Sequence, residues 1–239
     1  MLKEIFQRHK EVVLFYSGGK DSLALLLLLR PYWDRVNVVW VDTGNQFPEV
    51  IEHMEKVKAL VPHFTTLQGG QPKYFLEHGF AVDVVPEKNT LFGQLSFGAQ
   101  PVTCVARFQC CGQNLWKPME DFVLATKPTC VLRADRSSER EKGPASFGGT
   151  EILHPLWDWT NEQIWEFIEK NGKELLQDRH KMAYRTSLDC MVCMGYFNGV
   201  KERLGYLKTY HPELHEKAVQ FFKAYKQTVE QDLEKVKVE

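Results

Sequence analysis

The chain has 239 residues, 44% of them apolar and 12% aromatic, enough to bury the core of one α/β domain with additions. Thirty basic against thirty-one acidic residues leave a formal net charge of −1, which excludes a global field that would draw the chain to nucleic acid or to a membrane surface. The longest apolar run, Leu23 to Leu29, is far short of the roughly 20 residues of a bilayer span, and the first residues are charged, so the sequence predicts a soluble, cytoplasmic protein.

Residues 2–10 read as a short helix, and the β-branched and aromatic run Glu11 to Tyr16, ending at two glycines, reads as a buried strand. Ser22 is placed to cap a helix from Leu23 to about Tyr32, whose leucines leave no polar face and imply burial against a sheet. Val36 to Val41 is the next strand. Strand, glycine loop, helix and strand make the βαβ unit of a parallel sheet, where ligands sit beyond the carboxyl ends of the strands. Both Ser17–Ser22 and Asp42-Thr43-Gly44 fall on that edge. Pro48 opens a helix to about Leu60 with Val50, Ile51, Met54, Val57 and Leu60 on one side, and His63 to Leu67 forms a third strand.

Residues 68–112 show little periodicity and read as a looped region over the site. Gln113 to Ala125 is helical in pattern, Thr129 to Ala134 is a strand, and Ile152 to Leu156 a further short one. Thr160 caps a helix through Ile168, and a long helical pattern begins at Pro212. The expectation is α/β: a parallel twisted sheet flanked by helices, Rossmann-like, in a single domain over 1–239. Its nucleotide-binding core covers about 10–170, and a cysteine-containing, helical C-terminal region covers about 171–239.

The loop Ser17-Gly18-Gly19-Lys20-Asp21-Ser22 joins a strand to a helix. It offers backbone N–H groups, two positions without a Cβ, and a helix N-terminus with partial positive charge. Lys20 adds a full charge suited to a polyphosphate, Ser17 and Ser22 can donate to phosphate oxygens, and Asp21 can help bind Mg²⁺ or fix the turn. Neither G-x-x-x-x-G-K-[ST] nor G-x-G-x-x-G is matched.

Instead, Ser17–Ser22 resembles the SGGxDS loop of the PP-loop ATP pyrophosphatase superfamily, whose adenine nucleotide alpha-hydrolase-like fold it implies. Val41-Asp-Thr-Gly-Asn-Gln-Phe-Pro-Glu49 is similar to the V-D-T-G-x-x-F-x-E segment of the phosphoadenosine phosphosulfate (PAPS) reductase family. Arg133 to Arg140 resembles that family's R-x-x-x-S-x-x-R element, and Pro155 to Thr160 with Ile164-Trp165 its P-L-x-D-W-T segment. The resemblance implies nucleotide contacts from Asp42, Thr43, Gly44, Arg133, Ser137 and Arg140 besides the loop, with Lys20 and Asp21 as the catalytic candidates.

Cys110-Cys111 and Cys190-x-x-Cys193 supply four thiols as two close pairs, which suits a four-thiolate centre. Spacing alone does not choose between zinc and [4Fe–4S]; adjacent cysteines diverge, which favours a cubane that spreads its irons. The paired arrangement also resembles that of cluster-bearing adenylyl sulfate (APS) reductases. Cys104 could replace Cys110 or Cys111 as a ligand, and Cys130 reads as core.

APS and PAPS reductases carry a later E-C-G-x-H cysteine, whereas the last cysteine in this sequence is Cys193. With Lys20 retained, the reading favours ATP, with Mg²⁺, and sulfur transfer or nucleotide activation as in PP-loop sulfurtransferases. Three alternatives stay open: an APS/PAPS reductase served by an external thiol, a sulfate adenylyltransferase-like ATP subunit, and a non-enzymatic nucleotide sensor with structural zinc. The partners expected are an adenosine nucleotide and a sulfur or electron donor protein. Nucleic acid is not favoured, although Lys201, Arg203, Lys208, Lys223 and Lys226 could form a basic surface; no membrane is expected.

Overall fold

The computed structural model describes residues 2–139, 143–182 and 190–236. In chain order these form α1 (Leu2–Arg8), β1 (Val12–Phe15), α2 (Lys20–Leu28), β2 (Val36–Asp42), α3 (Pro48–Leu60), β3 (Phe64–Gln68), α4 (Gln71–His78) and β4 (Phe80–Val82). They continue with α5 (Leu91–Phe97), β5 (Cys104–Ala106), α6 (Arg107–Cys111), α7 (Lys117–Thr126), β6 (Cys130–Leu132), β7 (Ser146–Phe147) and β8 (Thr150–Leu153). The last helices are α8 (Asn161–Asn171), α9 (Asp178–Met182), α10 (Val200–Tyr210) and α11 (Pro212–Leu233). Among the described residues no helix is long and apolar enough to cross a membrane.

Two compact units share the chain. The first comprises 1–42, 48–68 and 117–180 and holds a six-stranded sheet of order β3-β2-β1-β6-β8-β7, parallel except for the edge hairpin β7–β8. The chain winds outward from β1 through β2 to β3, then returns to lay β6 on the other side of β1. The loops leaving β1 and β6 therefore diverge at the carboxyl edge of neighbouring strands, the switch point at which such sheets open a crevice.

Val12, Val13 and Leu14 of β1 are buried, as its apolar run demands, and α2 buries Leu23, Leu25, Leu26 and Leu27. Each fully buried Leu contributes ~1.5–3 kcal/mol relative to exposure. α2 packs against α8, where Ile164 and Ile168 are wholly buried. The start of α8 is fixed by a capping box: Gln163 N–H donates to Thr160 Oγ1 (3.2 Å) and Thr160 N–H to Gln163 Oε1 (2.8 Å).

This unit departs from the sequence pattern: α2 ends at Leu28 rather than near Tyr32, and β8 is Thr150–Leu153 rather than Ile152–Leu156. α2 begins three residues before Leu23, at Lys20, with Gly19 as its N-cap, so Ser22 does not cap it; the Ser22 hydroxyl instead donates to Gly19 O (2.9 Å). On α3, Ile51 and Leu60 are 44% and 48% exposed, and the buried stripe is Val50, His53, Met54 and Val57. A polar His53 at 0% exposure replaces the expected apolar edge because it has a partner inside, described below.

The second unit comprises 43–47, 69–116 and 181–239. Residues 68–112, expected to be looped, contain α4, α5, α6 and a two-stranded parallel sheet in which Phe80 pairs with Cys104 and Val82 with Ala106. Strands of three residues are too short to show a period. Ala81, Val105 and Cys110 form a small core with Tyr74 against it. Ala218, Phe221 and Tyr225 are the buried stripe of α11; Phe221 packs on Phe80 (4.6 Å between centroids) and Tyr225 donates to Val84 O (2.6 Å).

Candidate functional site

The loop Ser17–Ser22 leaves β1 at Phe15. Tyr16 N–H extends the ladder to Val39 O (2.9 Å), after which Gly18 turns the chain at φ +73°. A side chain there would be strained, and its Cβ would lie 2.6 Å from Met54 Cε. Gly19 enters α2 with no side-chain cap, so the first N–H groups of the helix have no side-chain acceptor, the arrangement that binds anions. Ser17 Oγ stands 3.2 Å from Ser22 Oγ and accepts a long bond from Gly19 N–H (3.3 Å).

Four charged side chains meet at this loop. Lys20, only 8% exposed, places Nζ 2.6 Å from Asp21 Oδ2 and 3.6 Å from Glu139 Oε1. Arg136, 3% exposed, places Nε 2.8 Å from Asp21 Oδ1 and Nη2 2.7 Å from Glu139 Oε1. The Nε–Oδ1 pair is close but off the hydrogen-bonding direction, so it is an ionic contact rather than a directed bond. Two cations are thereby matched by two carboxylates, all delivered by the loops after β1 and β6.

Arg136 and Glu139 lie inside the arginine–serine segment, yet the pattern singled out their neighbours. Arg133 pairs with Asp135 (2.8 Å), which also faces His154 (3.4 Å), and Ser137 N–H donates to Trp157 O (2.9 Å). Arg140 lies outside the described residues. Asp42 ends β2, in register with Gln68.

Beneath the loop is a buried polar layer to which no motif pointed. Arg179 Nη2 and His180 Nε2 both reach Gly18 O, at 2.8 and 2.9 Å, and the Tyr16 hydroxyl meets His53 Nε2 at 2.5 Å. Burial, reinforced by the Arg179 charge, lowers His53 to about 2 and His180 to about 4, so both are neutral at physiological pH. Burial raises Tyr16. These residues are 37 to 162 positions from their partners, which is why no local pattern announces them.

In the second unit Cys110 and Cys111 close α6, and Cys190 and Cys193 stand in one turn closed by Cys193 N–H to Cys190 O (3.3 Å). Cys110 and Cys193 are buried, Cys111 and Cys190 half-buried. Burial raises the Cys193 thiol, an effect offset by the Arg203 and Arg107 charges and the Gly195 N–H and augmented by Cys110. Burial likewise raises Cys110, offset by two amide donors, Gln71 Nε2 and Asn114 Nδ2, each 3.7 Å from its sulfur.

Thr43, expected at the nucleotide, has its hydroxyl 3.4 Å from Cys190 Sγ. Gly44 turns at φ +86° against Pro72. Arg203 Nη2 donates to the carbonyls of Cys190 and Met191 (2.7 and 3.0 Å). Arg107 joins Asp83 (2.5 Å), which also accepts from Phe197 N–H (2.8 Å). Cys104 is buried on β5 and Cys130 on β6, and burial pushes each up to about 12.

Among the described residues no three His, Cys, Asp or Glu side chains are gathered to hold a metal ion. A single zinc needs its sulfurs at ~2.3 Å from one point, whereas a cluster takes each thiolate on a different iron. Around these thiols, Gln71 and Asn114 donate toward the Cys110 sulfur and the Thr43 hydroxyl lies beside the Cys190 sulfur.

A family model described as the phosphoadenosine phosphosulfate reductase domain matches residues 11–72. The adenosine 5'-phosphosulfate reductase of Oceanobacillus iheyensis is 25% identical over 190 residues, 77% of this chain and 71% of that protein. The enzyme of the same name from Allochromatium vinosum is 24% identical over 207 residues, 81% of this chain and 72% of the relative. The crystal structure of phosphoadenylyl-sulfate reductase from Candida auris, a phosphate complex, superposes with a TM-score of 0.50 at 16% identity, covering 74% of this chain and 80% of that one. That likeness shows the fold.

Proposed function

We propose that this chain, which belongs to the phosphoadenosine phosphosulfate reductase family of the PP-loop superfamily, binds an adenosine nucleotide by its phosphates through Ser17–Ser22, and that ATP with Mg²⁺ is the favoured ligand. The observation that carries this is the meeting of two buried cations, Lys20 and Arg136, at the uncapped N-terminus of α2. Each is held by carboxylates, and a triphosphate would draw Lys20 from Asp21 and Glu139 onto its oxygens. The released carboxylates then suit Mg²⁺, a hard cation that prefers oxygen ligands shared with phosphates.

In this reading Gly19 N–H, the first turn of α2, Ser17 and Ser22 donate to phosphate oxygens. Lys20 would stabilise the charge that builds on departing pyrophosphate while an acceptor attacks the α-phosphorus, and Asp21 would hold Mg²⁺, which would supply further positive charge there. Asp42, at the end of β2, Thr43, Gly44, Arg133, Ser137 and Arg140 are further nucleotide-side candidates. Cys110, Cys111, Cys190 and Cys193 would hold a [4Fe–4S] cluster, which when bound supplies electrons or a docking point for sulfide. Gln71 and Asn114 donate toward the Cys110 sulfur and the Thr43 hydroxyl lies 3.4 Å from the Cys190 sulfur, and such contacts would orient ligands and tune a cluster.

A second reading, reduction of APS or PAPS with an external thiol, is favoured by the names of the matching relatives. One experiment separates the two. Protein purified without oxygen is analysed for iron and sulfide, then incubated with ATP–Mg²⁺, APS or PAPS in the presence of a thiol. AMP and pyrophosphate from ATP support the first reading, and sulfite from APS or PAPS the second. Binding of none of the three nucleotides overturns both.

A further inference from the structure

We infer that Arg179 and His180 of α9 are positioning residues that set the phosphate loop by holding the Gly18 carbonyl inward, and so aim the Gly19 amide at the ligand; the inference rests on the loop being the nucleotide site. A trans peptide directs its C=O and N–H to opposite sides. The Gly18–Gly19 peptide has its oxygen fixed on the interior side by two donors, Arg179 Nη2 at 2.8 Å and His180 Nε2 at 2.9 Å, which engage both lone pairs of the carbonyl. Its N–H is left facing the other way, held only by the 3.3 Å bond to exposed Ser17 that an anion can displace.

The two donors are themselves oriented. His180 Nδ1 has both Gln177 N–H (2.9 Å) and Gln177 O (3.2 Å) beside it, whereas Nε2 faces the acceptor Gly18 O (2.9 Å), so the tautomer with its proton on Nε2 satisfies both nitrogens. Gln177 Oε1 accepts from Arg179 Nε (2.6 Å), and Gln177 Nε2 donates to Glu49 O on α3 (3.0 Å). The arrangement also explains why residue 18 is glycine: a Cβ there would press on Met54 Cε at 2.6 Å and approach Arg179 Nη2 at 3.3 Å. Arg179 and His180 both donate to the Gly18 carbonyl, so they act on the ligand through the loop backbone.

The test compares His180→Gln, whose amide N–H can reach the same oxygen, with His180→Leu, which cannot, alongside Arg179→Lys and Arg179→Leu. Binding of ATP–Mg²⁺ and of inorganic pyrophosphate is measured by calorimetry, with urea unfolding of each variant. Loss of one donor is expected to weaken both ligands about tenfold in His180→Leu and more in Arg179→Leu, whose donor is charged. His180→Gln is expected to recover affinity to within about threefold at an unfolding midpoint equal to that of His180→Leu.

Rescue of affinity without a parallel change in stability is the signature that packing alone would not produce. Equal, wild-type-like affinity in all four variants overturns the inference while leaving the nucleotide site standing. So does equal loss in His180→Gln and His180→Leu. A wild-type chain that binds neither ATP nor pyrophosphate overturns the nucleotide reading itself, and this inference with it.

Discussion

Replacing Arg136 with Met tests whether the charge quartet is the organising feature of the loop. The guanidinium, 3% exposed, contacts Asp21 (2.8 Å), Glu139 (2.7 Å) and Ser138 Oγ (3.2 Å). Breaking a fully buried pair by removing one partner costs ~3–5 kcal/mol. Here the loss is smaller, because Lys20 remains 2.6 Å from Asp21 and Glu139 can turn to solvent, so ~2–3 kcal/mol is expected from urea unfolding of Arg136→Met. The Arg136→Met/Asp21→Asn double variant isolates the pair: a cycle with both single variants is expected to return ~1–2 kcal/mol of coupling. Arg133→Met is the control, since its half-exposed pair with Asp135 is worth ~1 kcal/mol or less. Affinity for ATP–Mg²⁺ is expected to fall more than about tenfold in Arg136→Met. Stability of Arg136→Met within ~0.5 kcal/mol of wild type, together with zero coupling to Asp21, would refute the reasoning.

Gly18→Ala is expected to cost ~2 kcal/mol in urea unfolding, from the left-handed φ and the shift forced on Met54, and to abolish measurable ATP binding because the loop must reopen. Acidification should destabilise the first unit. His53 and His180 are lowered to about 2 and about 4, so their contribution is complete above the unfolded value of 6.5 and is lost as pH falls below it. At pH 5 this amounts to on the order of 2 kcal/mol for each histidine, and His53→Gln should flatten the stability–pH curve between pH 7 and 5. Thr160→Ala removes the cap of α8 and is expected to cost ~1 kcal/mol by the same assay. If the cluster is present, Gln71→Leu and Asn114→Leu each remove a donor to the Cys110 sulfur and should move its reduction potential to more negative values in voltammetry.

The sequence alone determined the parts of this protein that are local. The run Glu11–Tyr16, the glycine pair, the apolar stretch Leu23–Leu29 and the next apolar strand specify a βαβ unit, because burial on both faces and an anion-binding turn are written in consecutive residues. Pro48 and Thr160 marked two helix starts for the same reason, a cap or a fixed φ being a property of one or two positions. The ordered motifs carry the resemblance to the phosphoadenosine phosphosulfate reductase family in the chain itself. What only the tertiary structure decided depends on residues that meet across the fold. The return of β6 to the side of β1 brings Arg136 and Glu139, rather than Arg133, to Lys20 and Asp21. The close of the first unit sets Arg179 and His180 under Gly18, more than 160 positions away. In the second unit Thr43 turns its hydroxyl to Cys190, and two three-residue strands organise a stretch without period. Such partnerships carry no spacing in the chain, since each is chosen by burial: a polar group taken from water must find a partner wherever the packing puts one.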